Sequence, residues 1–264
     1  MYNKTIQKWA DKMNNMKPIG LNIKEIIQKS LDDDTPEKLI DHFIAFESLE
    51  ISDETLLQLI REQQNYDVIC WALLKLKKIS DDPDAHLIVD LLNIDDSRIR
   101  ELASETIFKH VCCFSAKEID LFNKTIFFDA YVKTVKDINP RVTRNITATF
   151  KYFDHKDLLL NKLMNALKTE EGPFVTYWVL DGIVKVVDAI QVQVLLGYSE
   201  LLVELFNKIA YGDDHLLKEK VASILTYFVK ITDVRLNPVL EKTINKIKAD
   251  DNFYVSQVAQ NINY

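Results

Sequence analysis

The sequence predicts an all-α chain built from stacked pairs of helices, and three observations carry that expectation. Only 5 glycines and 6 prolines occur in 264 residues, too few for the turns that hairpins, sandwiches and barrels need. Apolar residues return at i, i+4 and i+8, the spacing of a single helical stripe. One short pattern also recurs six times between residues 65 and 262, at the separation of a two-helix unit that cannot bury its stripe without neighbours.

The six copies are "NYDVICWALLKL", "DDSRIRELASETIF", "NPRVTRNITATF", "GPFVTYWVLDGIV", "DHLLKEKVASILTYF" and "DNFYVSQVAQNI". Each opens with a turn or acidic residue and then a branched aliphatic anchor: Val68, Ile99, Val142, Val175, Leu217 and Val255, at intervals of 31, 43, 33, 42 and 38 residues. Four positions on stand Ala72, Ala103, Ile146, Val179, Val221 and Ala259. Eight on, in the first five copies, stand Leu76, Ile107, Phe150, Ile183 and Leu225. These segments predict the inner helices. Between them "DETLLQLIREQ", "DAHLIVDLLN", "KEIDLFNKTIFFDAYVKTV", "LLLNKLMNALK", "SELLVELFNKIA" and "PVLEKTINKIK" predict the outer ones.

Punctuation agrees with this alternation. Pro36, Pro83, Pro140, Pro173 and Pro238 stand just ahead of predicted stripes, where a missing N–H costs nothing and a fixed φ helps. Asp34 with Glu37, and Ser115 with Glu118, have the spacing of capping boxes. Asp95, Asp96, Asp213, Asp214, Asp250 and Asp251 crowd helix starts, favouring the positive end of the helix dipole.

A turn acid, a Val or Ile anchor flanked by Arg, and a small residue four on: this pattern, best seen in "DDSRIRELASETIF", resembles the HEAT-repeat (armadillo-like) family of α-solenoids over roughly residues 50–264. The arginine after the anchor is present as Arg100 and, displaced by one, as Arg144, whereas Thr176, Lys218 and Ser256 depart from it. The resemblance implies a right-handed α-α superhelix of about six helix pairs. Residues 51–264 are expected to form one continuous solenoid, and residues 1–50, with "LNIKEIIQKS" and "EKLIDHFIAF", an irregular N-terminal helical cap.

The net charge is −7, from 33 Lys+Arg and 40 Asp+Glu, which disfavours general binding to phosphate backbones. The charge is uneven: residues 31–60 hold nine acids and one lysine, residues 121–180 nine bases and six acids. Cys70, Cys112 and Cys113 cannot make a disulfide framework and suit a reducing cytoplasm. The first residues lack an apolar signal core and no run is long enough to span a bilayer, so the expectation is a cytoplasmic protein without a membrane role.

No motif for a nucleophile, a phosphate loop or a dinucleotide fold occurs, and neither "HVCC" at 110–113 nor "DDDT" at 32–35 has metal-ligand spacing. His110 is read as a helix-end residue with surface exposure. No catalytic residue, metal or cofactor is therefore expected. The candidate site is a partner-binding face on successive inner helices: Glu101 and Glu105, then Arg141, Arg144 and Lys151 as a basic ridge, then Tyr177 with Asp181 one turn on. Trp, Tyr and Arg dominate interface energetics, and Trp178, equivalent to Trp71, is assigned to the core. Arg141 and Arg144 have a second reading, as charges that only neutralise neighbouring helix-start acids. The functional expectation is a non-catalytic protein–protein scaffold or adaptor binding on the concave face. One alternative is a HEAT-like DNA glycosylase acting on alkylated bases, with Asp181 beside Tyr177 and Trp178. Another is an acidic immunity or inhibitor protein neutralising a basic toxin. Oligomeric state and partner identity are left open.

Overall fold

A computed structural model of the chain describes residues 51–62, 65–113, 116–169 and 172–264. The predicted N-terminal cap, Pro36, the Asp34/Glu37 pair, the acidic run at 32–35 and Ser115 of the second capping pair lie outside the described residues. The described residues form α-helices and short 3-10 turns, with no strand among them. In chain order the helices are α1 (Asp53–Glu62), α2 (Tyr66–Lys75), α3 (Asp82–Asp90), α4 (Ser97–Cys113), α5 (Ala116–Phe122), α6 (Phe128–Thr134) and α7 (Pro140–Thr149). They continue with α8 (Lys156–Lys168), α9 (Pro173–Val186), α10 (Val192–Leu196), α11 (Ser199–Ala210), α12 (His215–Phe228), α13 (Pro238–Lys248) and α14 (Phe253–Ala259).

The chain divides into two compact units, Met1–Lys77 and Lys78–Tyr264. In the first, α1 packs against α2, and the Lys77 N–H donates to Asp53 at 2.9 Å. In the second, α4, α7, α9, α12 and α14 pack side by side as an inner layer, while α6 and α8, and α11 and α13, pair in an outer one. Both predicted helix sets are thus found, and the second unit is an all-α solenoid.

The anchors explain why each inner helix starts where it does. Three residues before the anchor stands a side chain that accepts from the free N–H groups of the first turn: Asn65, Asp96, Asn139, Asp214 and Asn252. The fourth copy departs, with Gly172 at a positive φ of 93° leading into Pro173 and no side-chain cap. Its buried stripe also begins one turn late: Val175 is half-buried, whereas Val179 and Ile183 are fully enclosed like Ile99, Val142, Ile146 and Val221.

"KEIDLFNKTIFFDAYVKTV" is not one helix but α5, a 3-10 turn at Thr125–Phe127, and α6. The interruption has visible causes. Asn123 leaves the helix to donate to the Asp154 carboxylate at 2.6 Å and to accept from its N–H at 3.1 Å. The Tyr131 hydroxyl donates to the Phe122 carbonyl at 3.1 Å. A straight helix would place Phe122 and Phe128 on different faces, yet both are fully buried.

His110 also departs from expectation, being 2% exposed. Because α4 runs on to Cys113, the ring lies one turn inside the helix end, where Nε2 accepts from the Ile79 N–H at 3.1 Å and Nδ1 meets the Thr106 carbonyl at 2.8 Å. That pair of partners assigns the proton to Nδ1. Replacing His110 with Leu leaves the Ile79 N–H buried without its acceptor. A loss of about 1–3 kcal/mol in urea unfolding is expected.

Candidate partner-binding site

The seven candidate residues fall on consecutive inner helices or just beyond one: Glu101 and Glu105 on α4, Arg141 and Arg144 on α7, Tyr177 and Asp181 on α9, and Lys151 in the 3-10 turn that follows α7. The structure groups them differently from a simple basic ridge. Arg141 donates to Glu101 at 2.8 Å, and the Asn139 amide donates to the same carboxylate at 2.9 Å. Hydrogen bonds from Arg141 first, then Asn139, hold the Glu101 carboxyl below its usual range. Arg141 thus follows the second reading, joining one repeat to the next. Glu105 pairs with Lys109 at 2.6 Å.

Arg144 is exposed and makes no ion pair with any described residue. Lys151 is also exposed, but past the end of α7 its ammonium lies 4.6 Å from the Tyr152 ring centroid. The three cations therefore do not form one helical ridge. Asp181 is corrected more sharply. It is buried and bonded to Lys220 of α12 at 2.8 Å, with the two side chains 10% and 14% exposed, so its charge is not offered to a partner. Burial opposes the charged form of Lys220, but the hydrogen bond and charge of Asp181 outweigh it and raise the lysine pKa.

Trp178, expected in the core, is half-buried at the surface of α9. It meets Tyr177 edge-on at 5.0 Å and Phe174 at 6.4 Å, an aromatic cluster with the Lys220 ammonium 5.1 Å from the Tyr177 ring. Trp71, in the first unit, is buried as predicted. Sequence reasoning missed Lys220 and Phe174. Lys220 sits three residues after its anchor, the place held by Trp178 in the preceding copy, and nothing local pairs it with an aspartate 39 positions away (220 − 181).

A second set of pairs spaces the repeats. Arg100, one after its anchor, bonds to Asp137 at 2.5 Å; Lys218, one after its anchor, bonds to Asp250 at 2.7 Å. Both aspartates stand five residues before the next anchor, and each also accepts a backbone N–H, from Asn139 and Asn252. Lys218 therefore does the work of the arginine that the motif lacks there. For Asp250, burial pushes the carboxyl pKa up, but Lys218, the Asn252 N–H and His215 together bring it down. Asp96 is lowered chiefly by its hydrogen bond from Arg98.

Depressed carboxyl pKa values stabilise the fold above the ordinary values of 3.8 for Asp and 4.5 for Glu, and the contribution vanishes as pH falls through the folded-state values. The melting temperature is expected to hold from neutrality to about pH 5 and fall steeply below about pH 4. A thermal melt series over that range checks it. A profile flat to pH 2 would mean that the pairs hold no differential stability.

No protein-family model and no curated protein matches the chain. Solved structures do. An engineered protein matches with a TM-score of 0.59 at 14% identity, covering 81% of this chain and 97% of that one. The designed armadillo repeat protein YIII(Dq)4CqI gives 0.56 at 14% identity, covering 80% and 98%. Another designed armadillo repeat protein, in complex with the peptide (KR)4, gives 0.57 at 14% identity, covering 80% and 98%. The chain has the fold of the armadillo/HEAT-like α-solenoids.

Proposed function

We propose that the chain is a non-catalytic cytoplasmic scaffold that binds a partner protein on the open face of α7, α9 and α12. The observation that carries this is the Phe174, Tyr177 and Trp178 cluster at the surface of α9, the helix that packs against α7, whose Arg144 is exposed and has no ion pair among the described residues. Aromatic and arginine side chains are the groups on which interface energy concentrates. A designed solenoid of similar fold is in complex with a peptide, which supports protein or peptide binding as the kind of use here. The glycosylase alternative would need a carboxylate beside the aromatics, and Asp181 is buried against Lys220, which favours the binding reading.

Wild-type chain and an Arg144→Glu/Tyr177→Ala variant, both shown to be helical by circular dichroism, serve as baits in a lysate of the expressing cells. The expected result is a protein retained by the wild type and lost by the variant. Equal retention by both, or release of alkylated bases from duplex DNA by the wild-type chain, overturns the reading.

A further inference from the structure

The joints of the inner layer are not alike. At the α4–α7 joint, Glu101 accepts from Arg141 at 2.8 Å and from Asn139 at 2.9 Å, Asn145 donates to Ser104 at 3.1 Å, and Arg100 pairs with Asp137 at 2.5 Å. At α9–α12, Lys220 pairs with Asp181 at 2.8 Å, and at α12–α14 Lys218 pairs with Asp250 at 2.7 Å. Between α7 and α9 no hydrogen bond or ion pair forms among the described residues. That joint is closed by the Phe150 ring against Gly182, with Leu163 of α8 beside them.

The difference is mechanical. A hydrogen bond fixes distance and angle, so bridged helices move together. Apolar contact is non-directional, and helices held by it alone can slide or open against each other. The start of α9 adds freedom, because Gly172 stands where the other inner helices have a side-chain cap. The outer layer behaves differently. α8 and its ends are tied toward α6 by Lys162 with Asp129 at 2.5 Å and Lys136 with Thr169 at 3.3 Å. Toward α10 and α11 they are tied by Tyr198 with Asn161 at 2.9 Å and by the Gln191 N–H with Asp157 at 3.0 Å.

We infer that the α7–α9 joint is a hinge that parts the second unit into two blocks, α4 to α7 and α9 to α14, turning about α8. Opening it separates Phe150 from Gly182 and leaves every polar bridge inside each block intact. The outer layer, bonded on both sides of α8, stays closed and serves as the axis. Such a motion changes the curvature of the inner layer at one place instead of spreading it over all joints. The hinge goes beyond the binding reading and stands without it. A partner resting on both α7 and α9 would select one angle of the joint.

The test is pulsed electron paramagnetic resonance on the full chain, with spin labels carried on unnatural residues at exposed positions. Labels at Lys109 on α4 and Asp188 just past α9 span the joint, whereas labels at Asp188 and Gln257 on α14 lie within one block. The expected distance distribution is about twice as wide for the first pair as for the second. Equal widths overturn the hinge. Native-state hydrogen exchange gives a second readout. Asp137→Ala should speed the slowest amides of α4 and α7 about tenfold more than those of α12 and α14, and Asp250→Ala should do the reverse. Equal acceleration in both blocks means that the second unit opens as one body, and this also overturns the proposal. Protection that survives in α4 and α7 when Asp250→Ala abolishes it in α12 and α14 supports it.

Discussion

Replacing Asp250 with Ala is expected to remove about 3–5 kcal/mol of folding stability. The carboxylate and its partner Lys218 are 6% and 7% exposed, 2.7 Å apart, at the joint between α12 and α14. Truncating the acid leaves an ammonium enclosed without its counter-charge, and the desolvation that ion pairing had offset becomes unopposed. The same change removes the acceptor of the Asn252 N–H at 3.0 Å, loosening the turn into α14. Exposed pairs such as Lys109 with Glu105 carry no such penalty. Replacing both partners, Lys218→Met with Asp250→Leu, should recover most of the loss, since an apolar pair of similar volume needs no compensation. Urea unfolding of the single and double variants separates the cases. A loss below about 1 kcal/mol for Asp250→Ala would mean that water screens the joint.

That pair also marks how far the fold could be read in the sequence. The stripe at anchor, anchor+4 and anchor+8 is a local signal, so five anchors and all six residues four positions on are found buried. Helix starts were legible for the same reason: Pro140, Pro173 and Pro238 each occupy the first position of a helix. The site was legible only in part. Six of the seven candidate residues lie on the inner helices expected of them, with Lys151 past the end of α7, but the pairing of Asp181 with Lys220, or of Lys218 with Asp250, depends on lateral register between repeats of unequal length. Intervals varying from 31 to 43 residues hide that register from a single sequence. Lys151 shows a different limit. Seven residues after Arg144 it shares a side of an ideal helix, but α7 tightens into a 3-10 turn at Phe150 and carries it elsewhere. His110 was misjudged because its acceptor role answers an N–H 31 residues earlier.

Phe150→Ala is expected to remove about 3–5 kcal/mol and to weaken partner binding without touching the partner. The ring is fully buried where α7 ends, packed toward Phe153 at 6.1 Å. It also lies against α9 at Gly182, where a Cβ would come within 3.1 Å of its edge and 3.3 Å of Leu163. Gly182 is thus the gap that admits the phenyl ring between two inner helices, and the contact lies in the joint where α7 packs against α9. Emptying the position lets α7 and α9 settle differently, so a peptide spanning both helices loses alignment. The glycine supplies the control. In the wild-type chain Gly182→Ala gains about 1 kcal/mol of helix propensity but crowds both neighbours, so its net effect is expected to be neutral or unfavourable. In the Phe150→Ala background the crowding with the ring is gone, and the same methyl both fills space and favours the helix. Gly182→Ala should therefore stabilise that variant, giving a coupling energy of about 1–2 kcal/mol in a double-mutant cycle. Additive effects would show that the α7–α9 joint is not set by this contact, and the accompanying loss of binding would then need another cause.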